Sequence, residues 1–502
     1  MPVRACDRCY VTKEKCIFPD DQPTCARCRH LNATCSVSRA NKRLGRRPTA
    51  KAFPHGQMQV WGVECHHPSK SPEGVKSRAV TINTRRPASR SILPSHTKPL
   101  RDRGSHIASA LRIDPEHLLA APTSLQNTSD ALRLVSDPNQ FAATHLPFML
   151  GSSFAPQFQE SVSTILQLSA PTLTEGYLAF LGLMTRYQKS LVLRREEPDM
   201  AKAARGLQRL RHADIRDDFD AASTLFLGQA MYVFNLLTTV STVTSHSILQ
   251  AALVSTKRWF PRLAQSPFMD TVIMAPILID TVECLAHREK PIIRFAPPTD
   301  RVIVDHYAGL CATLLPRLYD ICECSHALKK AGRDASPAFR AEIFEALAGI
   351  ERLVQEWEPI TPEDWLTRYE RHEIMGMMAQ SRLYRLAALL IIHRLRYPLG
   401  VEDETAKGYA MAIFTGMECF APSFAPKCTA LPAVFPLVLA MFEVEGPGEE
   451  LMESLCSSFA VQKKSLLRLQ GFIKVVRDAK ASGYGGIWFD LVDEHLTVAM
   501  PP

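Results

Sequence analysis

The segment CDRCYVTKEKC at residues 6–16 is followed by CARCRHLNATC at residues 25–35. Both have the pattern Cys-x2-Cys-x6-Cys, and each cysteine of the second segment lies 19 positions after its counterpart in the first. Clustered cysteines at such spacing are typical of zinc sites, in which four thiolates surround the ion as a tetrahedron. The six cysteines therefore supply either one complete site with two thiolates left over, or two sites that share ligands.

The overall composition is that of an ordinary globular protein, with 46% of the 502 residues hydrophobic and 22% charged. The N-terminus has no apolar secretory segment. The longest apolar runs, at 386–392 and 431–442, are shorter than the ~18 residues that a membrane span requires. We therefore expect no membrane partner and a reducing compartment, in which clustered cysteines bind metal rather than form disulfides.

Positive charge is concentrated at the N-terminus. Residues 1–51 contain 12 Lys and Arg against 4 Asp and Glu, a formal charge of +8, and the whole chain also carries +8. Residues 52–502 therefore balance to zero. A basic segment of this kind beside an ordered metal motif indicates a polyanionic partner.

The full spacing Cys-x2-Cys-x6-Cys-x8-Cys-x2-Cys-x6-Cys resembles that of the fungal zinc binuclear cluster DNA-binding domain, and Pro23 resembles the proline of its loop. The resemblance rests on Cys6, Cys9, Cys16, Cys25, Cys28 and Cys35. It implies two zinc ions per chain, with the first cysteine of each segment, Cys6 and Cys25, bridging both ions. The other two cysteines of each segment would complete the site of that segment. Sulfur would fill all positions, so the zinc would be structural rather than catalytic.

The resemblance also implies double-stranded DNA as the partner. The family's lysine that contacts the paired guanines of a CGG triplet corresponds to Lys13, whose amino group can donate to guanine O6 and N7 in the major groove. The chain departs from the family at Tyr10 and Thr12, where most members are basic, so we expect the first half to bind DNA phosphates more weakly than in those members. Contacts to the DNA backbone, with solvated surface charge as the alternative, are expected of Arg4, Arg8, Lys15, Arg27 and Arg29.

A second basic stretch, RANKRLGRRPTAK at residues 39–51, follows the cysteines and includes Arg43, Arg46 and Arg47. Its glycine and proline make it a poor helix. A nuclear import signal and an arm along the phosphates or the minor groove are both favoured over a merely solvated linker. We therefore predict a nuclear protein.

We predict three parts in the chain. They are a zinc binuclear cluster domain with its basic extension at 1–48, a Pro-rich and largely disordered linker at 49–150, and an all-α regulatory domain at 151–502. Within the linker, Asp114-Pro115 and Asp137-Pro138 are typical helix starts. No run of heptads appears in the linker, so a coiled-coil dimer is not supported and the oligomeric state stays open.

From residue 151 onward, apolar residues recur at i, i+3, i+4 and i+7, which predicts roughly ten to fourteen helices. Expected helix starts are the capping box of Thr172 and Glu175, Ser336-Pro337 and Thr361-Pro362. The order of the parts, with the phrases ECLAHREKPIIR and IIHRLRYPLG, resembles the helical regulatory region that follows the zinc cluster in fungal transcription factors.

The helical region lacks the enzyme motifs GxSxG, HExxH and a phosphate-binding glycine loop, and we expect no catalytic activity. Cys322 and Cys324 have no second ligand pair at zinc spacing and are interpreted as packed thiols. The acidic stretch FEVEGPGEE (442–450) is interpreted as a solvated loop, with contact to a transcriptional coactivator or to the basic N-terminus as the alternative. FDLVDEHLTVAM (489–500) is interpreted as a last helix docked on the core, or else as an activation segment.

These features predict a nuclear, sequence-specific DNA-binding transcription regulator that activates RNA polymerase II at CGG-like triplets. Family resemblance adds the expectation that it controls a secondary-metabolite gene cluster. One alternative is a repressor with the same DNA module. Another is a metal-handling or enzymatic helical protein with a cysteine-rich appendage.

Overall fold

The computed structural model describes residues 6–11, 16–18, 24–37, 125–189, 199–238, 242–332, 335–420, 432–458 and 463–494. The chain forms two compact units, Met1–Pro68 and Ser69–Pro502. The predicted class, a small cysteine-centred module and a large all-α domain, is confirmed.

The first unit contains two one-turn helices, α1 (Asp7–Val11) and α2 (Ala26–His30). Several apolar side chains in its described part are exposed, with Val11 78% exposed and Ile17 52% exposed, while Phe18 is only partly buried against the cysteines. The buried positions in the described part of this unit all belong to cysteines. A segment without an apolar core has little to fold around, so its stability depends on what the sulfur atoms bind.

The described part of the second unit is helical, with one isolated bridge between Asp305 and Gly309 as its β-structure. Its α-helices are α3 (Leu125–Ser136), α4 (Pro138–His145), α5 (Ala155–Leu168), α6 (Ala170–Lys189), α7 (Met200–Arg211), α8 (Asp218–Thr238), α9 (Thr242–Thr256), α10 (Phe260–Leu263), α11 (Asp270–His287), α12 (Leu315–Ala331), α13 (Pro337–Gln355), α14 (Trp365–Arg368), α15 (Arg371–Arg396), α16 (Asp403–Phe420), α17 (Val434–Glu443), α18 (Gly448–Ser458), α19 (Lys463–Ala481) and α20 (Trp488–Glu494). Sixteen of the described helices begin after residue 151, more than the ten to fourteen predicted, and two of them, α10 and α14, are single turns. None of the described helices is long and apolar enough to cross a membrane.

Helix α11 lies at the centre of the N-terminal half of this unit. Every residue from Asp270 to Ala286 is buried, and α5, α8, α9 and α12 pack against it. Burial on all sides suits a helix that is apolar around most of its circumference, as DTVIMAPILIDTVECLAH is. The same burial encloses the few acidic side chains that α11 carries.

An aromatic cluster joins α4 to α6 in the same half. The ring of His145 stacks on Phe141 with centroids 4.1 Å apart. Its Nδ1 lies 2.9 Å from the Phe141 carbonyl oxygen, which can only accept, so Nδ1 carries the proton and donates. Nε2 is then left to accept from the Tyr177 hydroxyl at 3.0 Å. Burial lowers the pKa of His145 to about 4, which keeps this neutral ring in place.

Helix α17 is the buried centre of the C-terminal half, with all of its residues buried between α15, α16 and α19. Glu443 at its end is buried too, because Arg394 donates from Nε to Oε1 at 2.7 Å and from Nη2 to Oε2 at 2.5 Å. Glu449 accepts from Nη1 of Arg477 at 2.7 Å. The prediction of a solvated loop at 442–450 is therefore wrong for Glu443, whose cationic partner comes from a distant helix, whereas the side chain of Glu449 remains 44% exposed.

The helical unit extends further toward the N-terminus than the predicted boundary at 151. Residues 125–145 form α3 and α4, which bury Val135 and Phe141 against the core. The C-terminal part of the predicted linker 49–150 is thus helical rather than disordered. Both helices are short and gain their stability from tertiary packing, which composition alone does not reveal.

Two of the predicted helix starts are confirmed. Asp137 accepts the N–H of Asn139 at 2.9 Å, and Ser336 accepts the N–H of Phe339 at 3.2 Å, with a proline in the first turn of both helices. The predicted start at Asp114-Pro115 lies outside the described residues.

The other two predicted starts are wrong. Helix α6 begins at Ala170, two residues before Thr172, and Glu175 pairs with Arg205 of α7 instead of capping its own helix. The long helix expected after Thr361-Pro362 is α15, which begins only at its own capping box ten residues further on.

Two local interpretations of the C-terminal half are confirmed. Cys322 and Cys324 are buried in α12, and burial raises the pKa of both thiols. Helix α20 docks through Trp488 and Phe489, which are fully buried and stack on each other. The segment after 494 lies outside the described residues.

Candidate zinc centre and nucleic-acid interface

Each Cys-x2-Cys pair is held by the first turn of its helix. The N–H of Cys28 donates to the Sγ of Cys25 at 3.3 Å, so that the cysteine caps α2 with its own side chain. The same bond joins the N–H of Cys9 to the Sγ of Cys6 at 3.4 Å. Both sulfurs of a pair therefore face one point at the start of the helix.

The third cysteine of each segment returns to the same point. The N–H of Cys6 donates to the Sγ of Cys16 at 3.3 Å, and the N–H of Cys25 donates to the Sγ of Cys35 at 3.3 Å. The two halves thus repeat one backbone-to-sulfur arrangement, as the 19-residue repeat predicts.

Backbone hydrogen bonds cross between the halves in a matched pair. The N–H of Asp7 donates to the carbonyl of Ser36 at 2.8 Å, and the N–H of Ala26 donates to the carbonyl of Ile17 at 2.9 Å. In each case the start of one helix is tied to the residue after the third cysteine of the other half. This exchange gives the unit an approximate twofold arrangement.

One side-chain bond breaks that symmetry. The Ser36 hydroxyl donates to Oδ2 of Asp7 at 3.0 Å, whereas the counterparts Ala26 and Ile17 cannot form such a bond. Sequence reasoning missed this pair. Its only signal was that a serine follows the third cysteine of one segment and an isoleucine follows that of the other.

The six sulfurs form two groups of four that share two members. One group is Cys6, Cys9, Cys16 and Cys25, and the other is Cys6, Cys25, Cys28 and Cys35; within each group the sulfurs lie within 4.8 Å of one another. The shared members are Cys6 and Cys25, whose sulfurs are 3.8 Å apart.

The separations between sulfurs suit zinc. The sulfurs of Cys6 and Cys28 are 3.6 Å apart and those of Cys9 and Cys25 are 3.8 Å apart. Zinc–sulfur bonds of about 2.3 Å in a tetrahedron place neighbouring sulfurs about 3.8 Å apart. Each group of four can therefore surround one zinc ion with all four positions filled.

The electrostatics distinguish the shared sulfurs from their neighbours. The N–H of Cys9 lowers the pKa of Cys6, and the N–H of Cys28 lowers the pKa of Cys25 to about 6. Burial raises the pKa of Cys9 and raises that of Cys28 to about 12. The two shared cysteines are therefore held most readily as thiolates, which suits atoms that contact two cations.

Three of the predicted DNA-contacting residues lie on the described helices. Arg8 is exposed on α1, and Arg27 and Arg29 are exposed on α2. The remaining candidates lie outside the described residues, namely Arg4, Lys13, Lys15, Arg43, Arg46 and Arg47.

Comparison with known proteins assigns this unit to a family. Residues 4–44 match the family model described as the fungal Zn(2)-Cys(6) binuclear cluster domain. No curated protein and no solved structure matches the chain significantly. The matched residues include all six cysteines of the sulfur centre. The chain therefore carries a fungal Zn(2)-Cys(6) binuclear cluster domain that binds two zinc ions, and it is a DNA-binding transcription factor of that kind.

Proposed function

We propose that the protein is a nuclear activator of RNA polymerase II transcription that recognises CGG-like triplets. The observation that carries the proposal is the duplicated first unit, in which each half sets a one-turn helix with exposed arginine beside the sulfur centre. Cationic groups fixed to a small rigid module suit the phosphates of a duplex, which position the module without specifying sequence.

Recognition of the DNA bases is assigned to Lys13. Helix α1 ends at Val11, and Lys13 lies two positions further along the sequence. A lysine at this position can donate to the O6 and N7 atoms of guanine in the major groove. Two such contacts on neighbouring guanines would make the triplet CGG distinguishable from its variants.

Phosphate binding is assigned mainly to the second half. Helix α2 carries Arg27 and Arg29, whereas the corresponding positions of α1 are Arg8 and Tyr10. Helix α1 also begins with the carboxylate of Asp7. Helix α2 is therefore the more positive of the two helices, which agrees with an α1 side that contributes specificity more than affinity.

The test measures binding of the full chain to a duplex with CGG triplets and to the same duplex with the triplets scrambled. We expect tighter binding to the CGG duplex and a steep fall of affinity with salt. Lys13→Ala should lose about 1–3 kcal/mol of discrimination between the two duplexes. Arg29→Ala should instead weaken binding to both duplexes alike and reduce the salt slope by about 1. Full discrimination by the Lys13 variant would contradict the assignment.

The second unit is proposed to restrain the activator or to recruit a coactivator, rather than to catalyse a reaction. A reporter gene behind the bound site distinguishes activation from repression, since deletion of an activator lowers its output. Control of a secondary-metabolite gene cluster is part of the proposal, and genome-wide occupancy of the tagged protein tests it. Metal that exchanges readily, with no preference among DNA sequences, would favour a metal-handling protein instead.

A further inference from the structure

The central helix α11 carries two buried carboxylates whose basic partners, among the described residues, are histidines. Asp280 is 1% exposed and Glu283 is 2% exposed. Asp280 Oδ1 lies 2.8 Å from Nε2 of His246, and Glu283 lies 3.5 Å from Nε2 of His287. Burial of carboxylates is costly unless their charge is compensated. This part of the core therefore favours an additional positive charge.

Three atoms that commonly bind metal converge at Asp280. The Sγ of Cys284 lies 3.8 Å from Oδ1 of Asp280, and the donor atoms of His246, Asp280 and Cys284 all lie within 4.8 Å of one another. Asp280 and Cys284 are four residues apart on α11, so they lie on the same face of the helix. His246 comes from the neighbouring helix α9, and all three residues are buried.

The donor set and the distances suit zinc. Imidazole nitrogen, carboxylate oxygen and thiolate sulfur are the ligand types of zinc, with bonds of about 2.0–2.3 Å. In a tetrahedron such bonds place sulfur and oxygen about 3.6 Å apart and nitrogen and oxygen about 3.3 Å apart. The sulfur–oxygen separation of 3.8 Å fits. The nitrogen–oxygen separation of 2.8 Å has to widen by about half an ångström when an ion replaces the proton.

Asp280 is also held in the way that ligating carboxylates are. The N–H of Ile292 donates to Oδ2 of Asp280 at 2.7 Å, which leaves Oδ1 directed at His246 and Cys284. Outer hydrogen bonds of this kind orient a ligand and are a regular part of metal sites.

We propose that His246, Asp280 and Cys284 form a third zinc site, within the helical unit and separate from the binuclear cluster. Binding displaces the proton that lies between Nε2 of His246 and Asp280 and takes Cys284 as a thiolate; the imidazolium proton and the thiol proton both pass to solvent. Three protein ligands leave the fourth position to water or another ligand. The ion joins α9 to α11, so zinc supply acts on the stability of the helical unit as well as on the DNA-binding domain.

The test counts zinc in the full chain. Wild type, Cys284→Ala and Cys311→Ala are equilibrated with excess Zn²⁺ near neutral pH and desalted, and zinc per chain is measured by mass spectrometry. Cys311 is as fully buried as Cys284 but belongs to no donor group among the described residues, so its alanine variant is the matched control. We expect three ions in the wild type, two in Cys284→Ala and three in Cys311→Ala.

A second readout identifies the ligands. Cobalt bound by thiolate absorbs through sulfur-to-metal charge transfer, so the third equivalent of Co²⁺ should add to this absorption in the wild type and in Cys311→Ala, but not in Cys284→Ala. Asp280→Asn retains an oxygen that accepts from Ile292, so its core should stay folded. We expect it to bind the third ion about 10-fold more weakly, or worse.

Two ions in the zinc-saturated wild type would overturn the proposal and leave His246 and Asp280 as a hydrogen-bonded pair only. A third ion that Cys284→Ala retains would overturn it as well, because that ion would be bound adventitiously elsewhere. Circular dichroism checks that the variants are folded. DNA binding by the same preparations reports on the binuclear cluster, so the proposed function is tested independently of the third zinc site.

Discussion

Replacement of Arg394 by Met tests what holds the C-terminal half of the helical unit together. The Arg394 side chain is fully buried and joins α15 to α17 through its bidentate pair with Glu443. Its Nη2 also donates to Oδ1 of Asp403 at 2.6 Å, and its Nη1 donates to the carbonyl of Pro398 at 3.0 Å. Arg394→Met keeps a long apolar side chain and deletes all of these bonds.

The expected loss in the free energy of unfolding is about 3–5 kcal/mol, because removal of one partner leaves the other buried charge uncompensated. Lys480 retains a bond to Oε2 of Glu443 at 2.9 Å, which reduces the loss. The partly buried carbonyl of Pro398 loses its donor, which adds about 1 kcal/mol to the loss. Because these two corrections oppose each other, we expect about 4 kcal/mol.

Urea unfolding of the full chain, followed by tryptophan fluorescence, measures the loss. The control is Lys474→Met, which removes a cation from the exposed pair with Asp478 and should change the free energy of unfolding by less than about 0.5 kcal/mol. The double variant Arg394→Met with Glu443→Met removes both buried charges. It should recover about half of the loss or more, since apolar replacement of a whole buried pair is often neutral.

A loss below about 1 kcal/mol for Arg394→Met would refute the reasoning, because an exposed pair contributes that much. A double variant no more stable than the single one would show that the uncompensated charge of Glu443 is not the cause.

Three further predictions concern the sulfur centre, a helix crossing and a buried ring. Cys25→Ala removes a sulfur from both groups of four and should abolish both cluster ions and triplet-specific DNA binding, whereas Cys35→Ala should keep one ion; equal zinc losses by mass spectrometry would contradict the sharing. A Cβ on Gly206 would lie 2.7 Å from the backbone of α6, so Gly206→Ala should cost about 1–3 kcal/mol in thermal unfolding. A Cβ on Gly182 has no atom within 4 Å, so Gly182→Ala should instead raise the free energy of unfolding by about 0.5–1 kcal/mol. A rise in both alanine variants would contradict the clash at Gly206. The pKa of His145 in the folded state is lowered from 6.5 to about 4. The neutral ring therefore contributes fully to the free energy of unfolding above pH 6.5, and this contribution, about 3 kcal/mol, is lost as the pH falls toward 4. Urea unfolding as a function of pH should show this loss in the wild type and not in His145→Gln; parallel curves would argue against it.

Much of the helical unit followed from periodicity. The apolar recurrence noted from residue 151 onward includes the segment that forms α11, Asp270–His287. Apolar repetition is a local property, so it identifies a helix without knowledge of its neighbours. The start of α6 could not be predicted in the same way, because Glu175 is engaged by Arg205 of another helix.

The sequence by itself determined the sulfur centre, because its six ligands lie within 30 consecutive positions and each chelating pair is closed by a single helical turn. Tertiary structure alone decided which charged side chains of the helical unit are buried. Glu443 meets Arg394 from 49 positions away, and Asp280 meets His246 from 34 positions away. The cost of desolvating a charge depends on partners that only the folded chain brings within reach, and the spacing of residues along the sequence does not predict these partners.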